Sequence, residues 1–319
     1  MTLQASGTIK MSDVNTELEL TSTARLTLGS AAVRELFEKP SGRITMSNGY
    51  GKSNIFYYTF SANATNVDLA ATLISAGWNA DSEVVVTINS GVYISGTSTS
   101  NPALLVTNSF PKGITLNNNG YIIGMGGAGG NGSNYYSSGG GSGGTDGGAG
   151  GTAFKTLAAI TVVNNGTIAG GGGGGGGGRA GITPYILPNG DSDSYTIYGG
   201  SGGGGQGGLT NSATGSPGGF FSNNAWRDYA YSGTSGTSST AGTGGGGRGQ
   251  KAQSGEFSDT TYSDGGAGGG WGAAGTAGRG DNIVSYGSRV NAGGAAGKYA
   301  EGNSFITWSV AGTRLGGVA

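Results

Sequence analysis

The chain has 319 residues, of which 74 are glycine and six are proline, and it contains neither cysteine nor histidine. Their absence excludes a Cys/His zinc site, a disulfide framework, a catalytic thiol and a histidine general base. Sixteen basic and 17 acidic residues give a net charge of −1, which is too small to attract nucleic acid or an anionic membrane. We therefore expect partners that are recognised by shape, with no cofactor, no metal and no nucleic acid.

The start of the chain, MTLQASGTIK, has neither the basic region nor the apolar core of a secretory signal. No apolar run approaches the length of about 18 residues that a membrane-spanning helix needs. We expect a protein that is made in a cytoplasm and does not span a membrane.

Glycine is concentrated in one part of the chain, since 61 of the 74 glycines fall between Gly120 and Gly297. That stretch is about one-third glycine, against a usual content of about 7%. The contrast predicts four regions: an attachment region at residues 1–53, a strand-rich domain at 54–119, a glycine-rich body at 120–300 and a C-terminal strand segment at 301–319.

The first region contains an internal repeat, with copies that begin 17 and 18 residues apart at Thr8–Asp13, Arg25–Ser30 and Arg43–Asn48. Each copy alternates apolar and polar residues, which predicts three short strands that end in turns. After the first copy, Ser12 or Asp13 can cap a short helix; after the second, Ser30 can cap a helix from Ala31 to Lys39. Units this small bury little surface alone, so we expect this region to attach to another subunit.

A second repeat links the strand-rich domain to the glycine-rich body. The pattern of Asn118–Gly124 returns 46 residues later as Asn164–Gly170, and both copies lead from an apparent strand directly into a glycine tract. A looser copy begins at Asn89. The sequence therefore predicts that strands launch the glycine segments.

The glycine tracts allow two interpretations. Flexible linkers are one. The other is a bundle of polyglycine II helices, which have three residues per turn and must exchange backbone hydrogen bonds with neighbouring tracts. Small residues near every third position in Gly139–Gly151, and the nine consecutive glycines Gly170–Gly178, favour the bundle. The predicted fold class is mainly β or irregular, with a strand-rich N-terminal part, a polyglycine II sandwich and very little α-helix.

Large aromatic residues occupy the segments between tracts, among Ser, Asn and Asp, a composition typical of recognition loops. Extended tracts must reverse at the two ends of a bundle, so every second loop along the chain (loops of the same parity) should lie at the same end. The longest loops are residues 180–198 and 209–240. The aromatic residues can bind a receptor or can pack as lids over the bundle edges. The candidates for receptor binding are Tyr185, Tyr195, Tyr198, Phe220, Phe221, Trp226, Arg227, Asp228, Tyr229, Tyr231 and Tyr262.

Glycine-rich islands alternating with aromatic loops, at about Gly120 to Gly297, resemble the adhesins at the tips of the long tail fibres of T-even phages. The N-terminal repeats and the ending at 302–316 resemble segments of other phage tail-tip and fibre proteins. The resemblance implies a sandwich of polyglycine II helices with receptor-reading loops, attached in the virion to a tail or fibre subunit. It also implies an outer-membrane protein or lipopolysaccharide as the bacterial receptor.

Three alternatives remain open beside a binding module: a polysaccharide depolymerase of the tail, a purely structural tail component and an ice-binding protein. A depolymerase would need paired carboxylates. The spacing selects no pair, so we expect no catalytic residues; the candidates are Asp191, Asp193, Asp228, Glu256, Asp259 and Asp264. We interpret Asp191 and Asp193 as a solvated loop rather than a Ca²⁺ site. Arg279-Gly280-Asp281, a cell-adhesion tripeptide, is interpreted as a turn with a local ion pair.

Overall fold

The computed structural model describes residues 3–18, 20–80, 82–107, 110–133, 143–186, 192–197, 199–209, 213–215, 220–223, 226–229, 232–243, 249–251, 263–280 and 290–319. For residues 181–186, 192–197, 220–223, 226–229 and 249–251 it describes the backbone alone.

The N-terminal unit, residues 3–53, folds around its own apolar cluster, which contains Val14, Val33 and Phe37. Its elements are α1 (Met11–Glu17), α2 (Ala31–Leu36) and a 3-10 helix (Met46–Gly49). The prediction of three short strands in this unit is wrong, because its described residues contain no strand. The second expected helix does begin after Ser30, but it ends at Leu36 rather than at Lys39.

The repeat in this unit encodes helix starts rather than strands. In the first copy the Asp13 carboxylate accepts a hydrogen bond from Lys10 N at 2.8 Å, and α1 begins between them. In the third copy Asn48 Oδ1 accepts from Thr45 N at 2.9 Å, and the 3-10 helix begins there. A polar side chain that bonds to the backbone three residues earlier is a helix-start signal that outweighs a short alternation of apolar residues.

Residues 55–123, 154–169 and 298–318 form a β-solenoid with three five-stranded parallel sheets. Each turn of the chain, or rung, places one strand in each sheet, and in the third and fourth rungs an insertion separates the second strand from the third. The first rung is β1 (Ile55–Phe60), β2 (Ala64–Thr65) and β3 (Val67–Asp68), followed by α3 (Leu69–Ser75). The second is β4 (Glu83–Ile88), β5 (Tyr93–Ser95) and β6 (Leu104–Val106).

The third rung is β7 (Ile114–Asn118), β8 (Tyr121–Ile123) and β9 (Phe154–Thr156). The fourth starts with β10 (Ile160–Asn164) and β11 (Thr167–Ala169). Between it and the next solenoid strand lie β12 (Gly181–Ile186), β13 (Ser192–Ile197), β14 (Phe220–Asn223), β15 (Trp226–Tyr229) and β16 (Gly249–Lys251). The solenoid resumes with β17 (Lys298–Glu301), a 3-10 helix (Asn303–Phe305), and the fifth rung, β18 (Ile306–Val310), β19 (Thr313–Leu315) and β20 (Gly317–Val318).

Equivalent side chains stack inside the solenoid from rung to rung. In one sheet Val67 is in register with Leu104, which is in register with Phe154, and all three are buried in one apolar cluster. Alternate residues of β4, β7 and β10 point into the same cluster. Near-continuous β-branched and aliphatic residues suit such strands because each one packs on the rung below.

The 46-residue repeat is the spacing between two rungs. Asn118 and Asn164 are paired in register, both are fully buried, and Asn118 Nδ2 donates to Asn164 Oδ1 at 2.7 Å. Asn164 Nδ2 then donates to the backbone oxygens of Ala311 and Thr313 in the fifth rung, at 2.9 and 3.2 Å. The asparagines thus satisfy backbone groups at one corner of the solenoid.

The glycine-rich segments are two insertions at one corner of this solenoid. The first leaves after β8 and returns at β9; the second leaves after β11 and returns at β17. We call residues 124–151 and 170–297 together the glycine body. The prediction that strands launch the glycine segments is confirmed. The C-terminal strand β18 pairs in parallel with β10 and so belongs to the solenoid.

Candidate functional site

The glycine body is a bundle of extended tracts with a hydrogen-bond repeat of three residues, and its centre is Gly170–Gly178. All nine of these glycines are buried. Successive N–H groups of this tract point in three directions, so that Gly172 and Gly175 donate to one tract while Gly171 and Gly174 donate to another. The tract donates to residues 145–151, 200–206 and 273–276, and accepts from residues 127–133, 266–272 and 291–297.

Six hydrogen-bonded neighbours around a three-fold tract are the arrangement expected of packed polyglycine II helices, which the sequence predicted. The tracts lie too close for a side chain: a Cβ on Gly174 would stand 1.8 Å from the backbone oxygen of Ala128. Glycine is therefore required at this position by the approach of a neighbouring backbone.

Successive tracts run in opposite directions along the bundle. The hydrogen bonds between them show which tract ends lie at the same height, or level, along the bundle axis. At the end away from the solenoid, which we call the outer end, Ser133 N donates to Gly178 O, Gly199 N to Ser133 O and Gly200 N to Ser263 O, at 3.0, 3.1 and 2.8 Å. Two more tracts reach this level, where Arg279 N donates to Asp264 O and Gly278 N to Asn291 O.

At the inner end the tracts meet the solenoid. Gly124 N donates to Ala169 O at 2.9 Å, and Gly170 N to Leu315 O at 3.0 Å. The indole of Trp271, in the turn between two tracts, donates through Nε1 to Gly207 O at 3.0 Å and lies 6.2 Å from the ring of Tyr121. Tyr121 stacks on Tyr93 at 4.3 Å, where burial, and then the neighbouring phenol, raise the pKa of Tyr93. These contacts join the body to the solenoid.

The parity prediction is confirmed for the tract ends. Five connections begin and finish at the outer end: residues 134–143, 180–198, 216–231, 244–262 and 281–289. The expected loop at 209–240 was too long, because residues 213–215 and 232–237 belong to tracts of the body; Gly204 N, for example, donates to Thr234 O at 3.0 Å.

All eleven receptor-binding candidates fall within these outer connections. Tyr185 lies in β12 and Tyr195 in β13, an antiparallel pair that β16 extends, so that the second and fourth connections share one sheet. A hairpin in the third connection pairs Phe220 with Tyr229, Phe221 with Asp228 and Asn223 with Trp226, while Arg227 faces Ser222. Tyr198, Tyr231 and Tyr262 lie outside the described residues.

The carboxylates weighed for catalysis are dispersed. Asp193 lies in β13, Asp228 in β15 and Asp264 in a tract of the body, while Asp191, Glu256 and Asp259 lie outside the described residues. Within the described ranges, no three Asp, Glu, His or Cys side chains group as metal ligands. No helix in those ranges has both the length and the hydrophobicity to cross a bilayer.

The polar residues at the outer end of the body were not among the candidates predicted from the sequence. Ser133, Ser263 and Asn291 are buried there, and each bonds to a neighbouring backbone; Asn291 Nδ2 donates to Gly177 O at 2.9 Å. Arg179 and Arg279 are the basic residues of this level. The signal in the sequence was a polar residue at the point where each glycine tract stops.

Comparison with known proteins adds a family to this geometry. A family model described as phage tail fibre adhesin Gp38 matches residues 55–319, which is most of the chain. The solved structure of the gp37-gp38 adhesin tip complex of the bacteriophage S16 long tail fibre is similar, with 20% identity, a TM-score of 0.49 and coverage of 99% of this chain and 100% of that one. A search of curated proteins gave no match. The chain belongs to the phage tail fibre adhesin Gp38 family, and is thus a receptor-binding component of a virion.

Proposed function

We propose that the five outer connections of the glycine body bind the bacterial receptor. The observation that supports this most directly is the position of the tract ends, because the five segments that contain the eleven candidate residues begin and finish at one end of the bundle. Aromatic side chains provide large contact areas at a low cost in conformational entropy, and a few of them usually dominate a binding interface.

The body suits this role because its frame is ordered before binding. Every described amide of Gly170–Gly178 donates to a neighbouring tract or strand, so the ends of the connections are fixed in space. A receptor then has to order only the loops between these fixed points, which reduces the entropy lost on binding.

We propose further that residues 1–53 attach the adhesin to a tail or fibre subunit. This unit has its own apolar cluster, and it is linked to the solenoid through the Glu17 carboxylate, which accepts hydrogen bonds from Ser53 Oγ and Asn54 N at 3.0 and 2.9 Å. It also exposes apolar surface at Leu20 and Tyr50. These two side chains are available for contact with a tail or fibre subunit.

Replacing Trp226 and Tyr229 together by alanine tests the receptor proposal. We expect adsorption to host cells to fall at least about tenfold, because each buried aromatic anchor is worth about 2 kcal/mol or more, while the thermal melt stays unchanged. The matched control is Tyr57→Ala, which removes an exposed aromatic side chain from β1 in the solenoid. Normal adsorption by the double variant would contradict the proposal.

The class of receptor can be separated in the same assay. Host mutants that lack single outer-membrane proteins, and mutants with truncated lipopolysaccharide, should differ in whether they bind the purified adhesin. We propose binding without cleavage, so no new reducing ends should form when the protein is incubated with host polysaccharide. Shortened polysaccharide would favour the depolymerase instead.

Deleting residues 1–53 tests the attachment proposal. The truncated protein should be absent from purified particles, because it has lost its docking unit. If it is incorporated at the normal level, another surface makes the attachment. Circular dichroism and the thermal melt of the truncated protein show whether the solenoid and the glycine body fold without that unit.

A further inference from the structure

Two arginines stand next to each other at the outer end of the glycine body. Arg179 ends the central tract and Arg279 ends the parallel tract beside it, and Arg179 N donates to Arg279 O at 3.1 Å. The connections that follow them, residues 180–198 and 281–289, both leave from this level. The pair is therefore at the base of the proposed receptor-binding surface.

The side chain of Arg179 is directed by its packing. Its stem passes over Gly280, since a Cβ on that glycine would stand 2.8 Å from Arg179 Cβ and 3.1 Å from Arg179 Cδ. Glycine at 280 thus leaves room for the Arg179 side chain to lie towards the tract that carries Arg279. Arg179 is half-buried, whereas Arg279 is exposed.

Asp281, which the sequence predicted as the ion-pair partner of Arg279, lies outside the described residues, and within those residues neither guanidinium is neutralised. Arg179 Nε is buried, and no acceptor in that part lies within hydrogen-bond distance of it. The described carboxylates form ion pairs with Lys52, Lys155 and Lys298 but with neither arginine. Asp264, on the adjacent tract, meets Arg279 through its backbone oxygen. A buried N–H donor without a partner is costly, and two adjacent cations repel each other.

We propose that Arg179 and Arg279 together bind a phosphate group of a bacterial surface glycan. This deepens the proposed function, on which it rests, by assigning a chemical class to part of the receptor. A bound anion would supply the acceptor that Arg179 Nε lacks and remove the repulsion between the two cations.

Phosphate fits this pair better than a carboxylate. A phosphomonoester carries a charge of about −1.5 to −2 at neutral pH and has three acceptor oxygens, so it can bond to two guanidiniums at once. A carboxylate has a single charge and is satisfied by one bidentate arginine. The whole chain has a net charge of −1, so attraction of a polyanion must come from a local pair such as this one.

The test uses the full-length protein and liposomes of phosphatidylcholine that contain host lipopolysaccharide, before and after treatment with a phosphatase. The variant is Arg179→Gln with Arg279→Gln. The matched control, Arg25→Gln with Arg43→Gln, removes the same charge from exposed positions of the N-terminal unit. Liposomes with phosphatidylglycerol in place of lipopolysaccharide distinguish a glycan phosphate from any anionic lipid surface.

We expect the Gln variant to bind untreated liposomes at least about tenfold more weakly than the wild type, as the loss of charge-assisted hydrogen bonds predicts. Phosphatase treatment should weaken the wild type by a similar factor and leave the Gln variant unchanged. The control variant should bind like the wild type. Lysine at both positions keeps the charge but loses the forked donors, so we expect intermediate binding.

Equal binding of wild type and Gln variant to untreated liposomes would overturn the inference. So would wild-type binding that is insensitive to phosphatase, or equally strong binding to phosphatidylglycerol. The aromatic double variant separates this inference from the proposed function. If Trp226→Ala with Tyr229→Ala adsorbs normally while phosphate dependence persists, the aromatic proposal fails and the arginine site stands.

Discussion

The solenoid and the glycine body are both stacks of extended chain, but different atoms hold them together. In the solenoid, side chains such as Leu104 and Phe154 fill a common interior, and the backbone pairs only with the rungs above and below. In the central tract of the body, Gly170–Gly178, every side chain is a hydrogen atom, and the tract bonds to six neighbours. The first is stabilised chiefly by apolar burial, the second by backbone hydrogen bonds and close approach. The comparison shows that a chain with almost no apolar side chains can order itself when every amide finds a partner.

The largest effect should come from a side chain at the centre of the body. Gly174→Ala would place a methyl group 1.8 Å from Ala128 O, and the backbone can relieve the clash only by separating two tracts. We expect a loss of at least about 4 kcal/mol in the free energy of unfolding, with rapid amide exchange throughout residues 170–178. Gly143→Ala is the matched control, since a Cβ there meets nothing within 4 Å. If both variants melt alike, close packing does not hold the body together.

A cavity in the solenoid should have the next largest effect. Leu104 is fully buried between Val67 and Phe154, so Leu104→Ala should cost about 2 to 5 kcal/mol. Leu157→Ala is the control, because that leucine is 56% exposed. Chemical denaturation followed by tryptophan fluorescence measures the difference. An equal, small cost for both leucines would show that the apolar interior contributes less than we infer.

Asn118 and Asn164, at one corner of the solenoid, are buried side chains that also form hydrogen bonds to the backbone. Asn164→Ala removes the acceptor of Asn118 and two hydrogen bonds to the fifth rung, and leaves buried polar groups without partners. We expect a cost of about 2 kcal/mol, read as faster amide exchange in β18 and β19. Asn165→Ala changes a neighbouring exposed asparagine with one hydrogen bond to Asn119, and should leave exchange in these strands unaltered.

The smallest effect concerns the strand that brings the body back to the solenoid. Burial raises the pKa of Glu301, but hydrogen bonds from Thr152, Lys155 and Lys298 outweigh it and hold the pKa below its usual value. A depressed carboxyl pKa stabilises the fold above the unfolded pKa of about 4.3, and that contribution is lost as the pH falls through the folded pKa.

Glu301→Gln should therefore lower the thermal melt at pH 7 and have no effect near pH 2. The group is partly exposed, so the difference should be about 1 kcal/mol or less. A gap between the two proteins that persists at low pH would mean that the side-chain amide fits the site poorly, rather than that charge matters.

The sequence predicted the glycine body better than it predicted the N-terminal unit. The three-residue spacing of small residues and the nine consecutive glycines favoured the bundle over a flexible linker, because packed tracts can satisfy each other's backbone groups. The repeat from Thr8 to Asn48 allowed either strands or helix starts, and the bonds made by Asp13 and Asn48 decided for helices. The helix α3 was not predicted, although Asp68 caps it by accepting from Ala71 N, and Gly77 follows it with a φ of 101°.

The closed solenoid could not be derived from the sequence, because its rungs are completed across insertions. The strand β17 continues the fourth rung after a gap of 128 residues, and no local pattern connects it to β11. The candidate site was predictable as a set of loops, since alternation of tracts forces parity. The adjacency of Arg179 and Arg279, 100 residues apart, depends on which tracts are neighbours, and composition cannot specify that.

The six-fold surroundings of the central tract have a mechanical consequence. If the outer connections hold the receptor, as we propose, a cell that moves against a bound virion pulls on them, and the force enters the body along the axes of its tracts. The hydrogen bonds between tracts run across those axes, so they are loaded in shear and must fail together, whereas bonds in an opened hairpin fail one after another. Gly170–Gly178 shares its load with neighbours on every side through its amides and carbonyls. We therefore expect the glycine body to transmit tension from a bound receptor to the solenoid without lengthening.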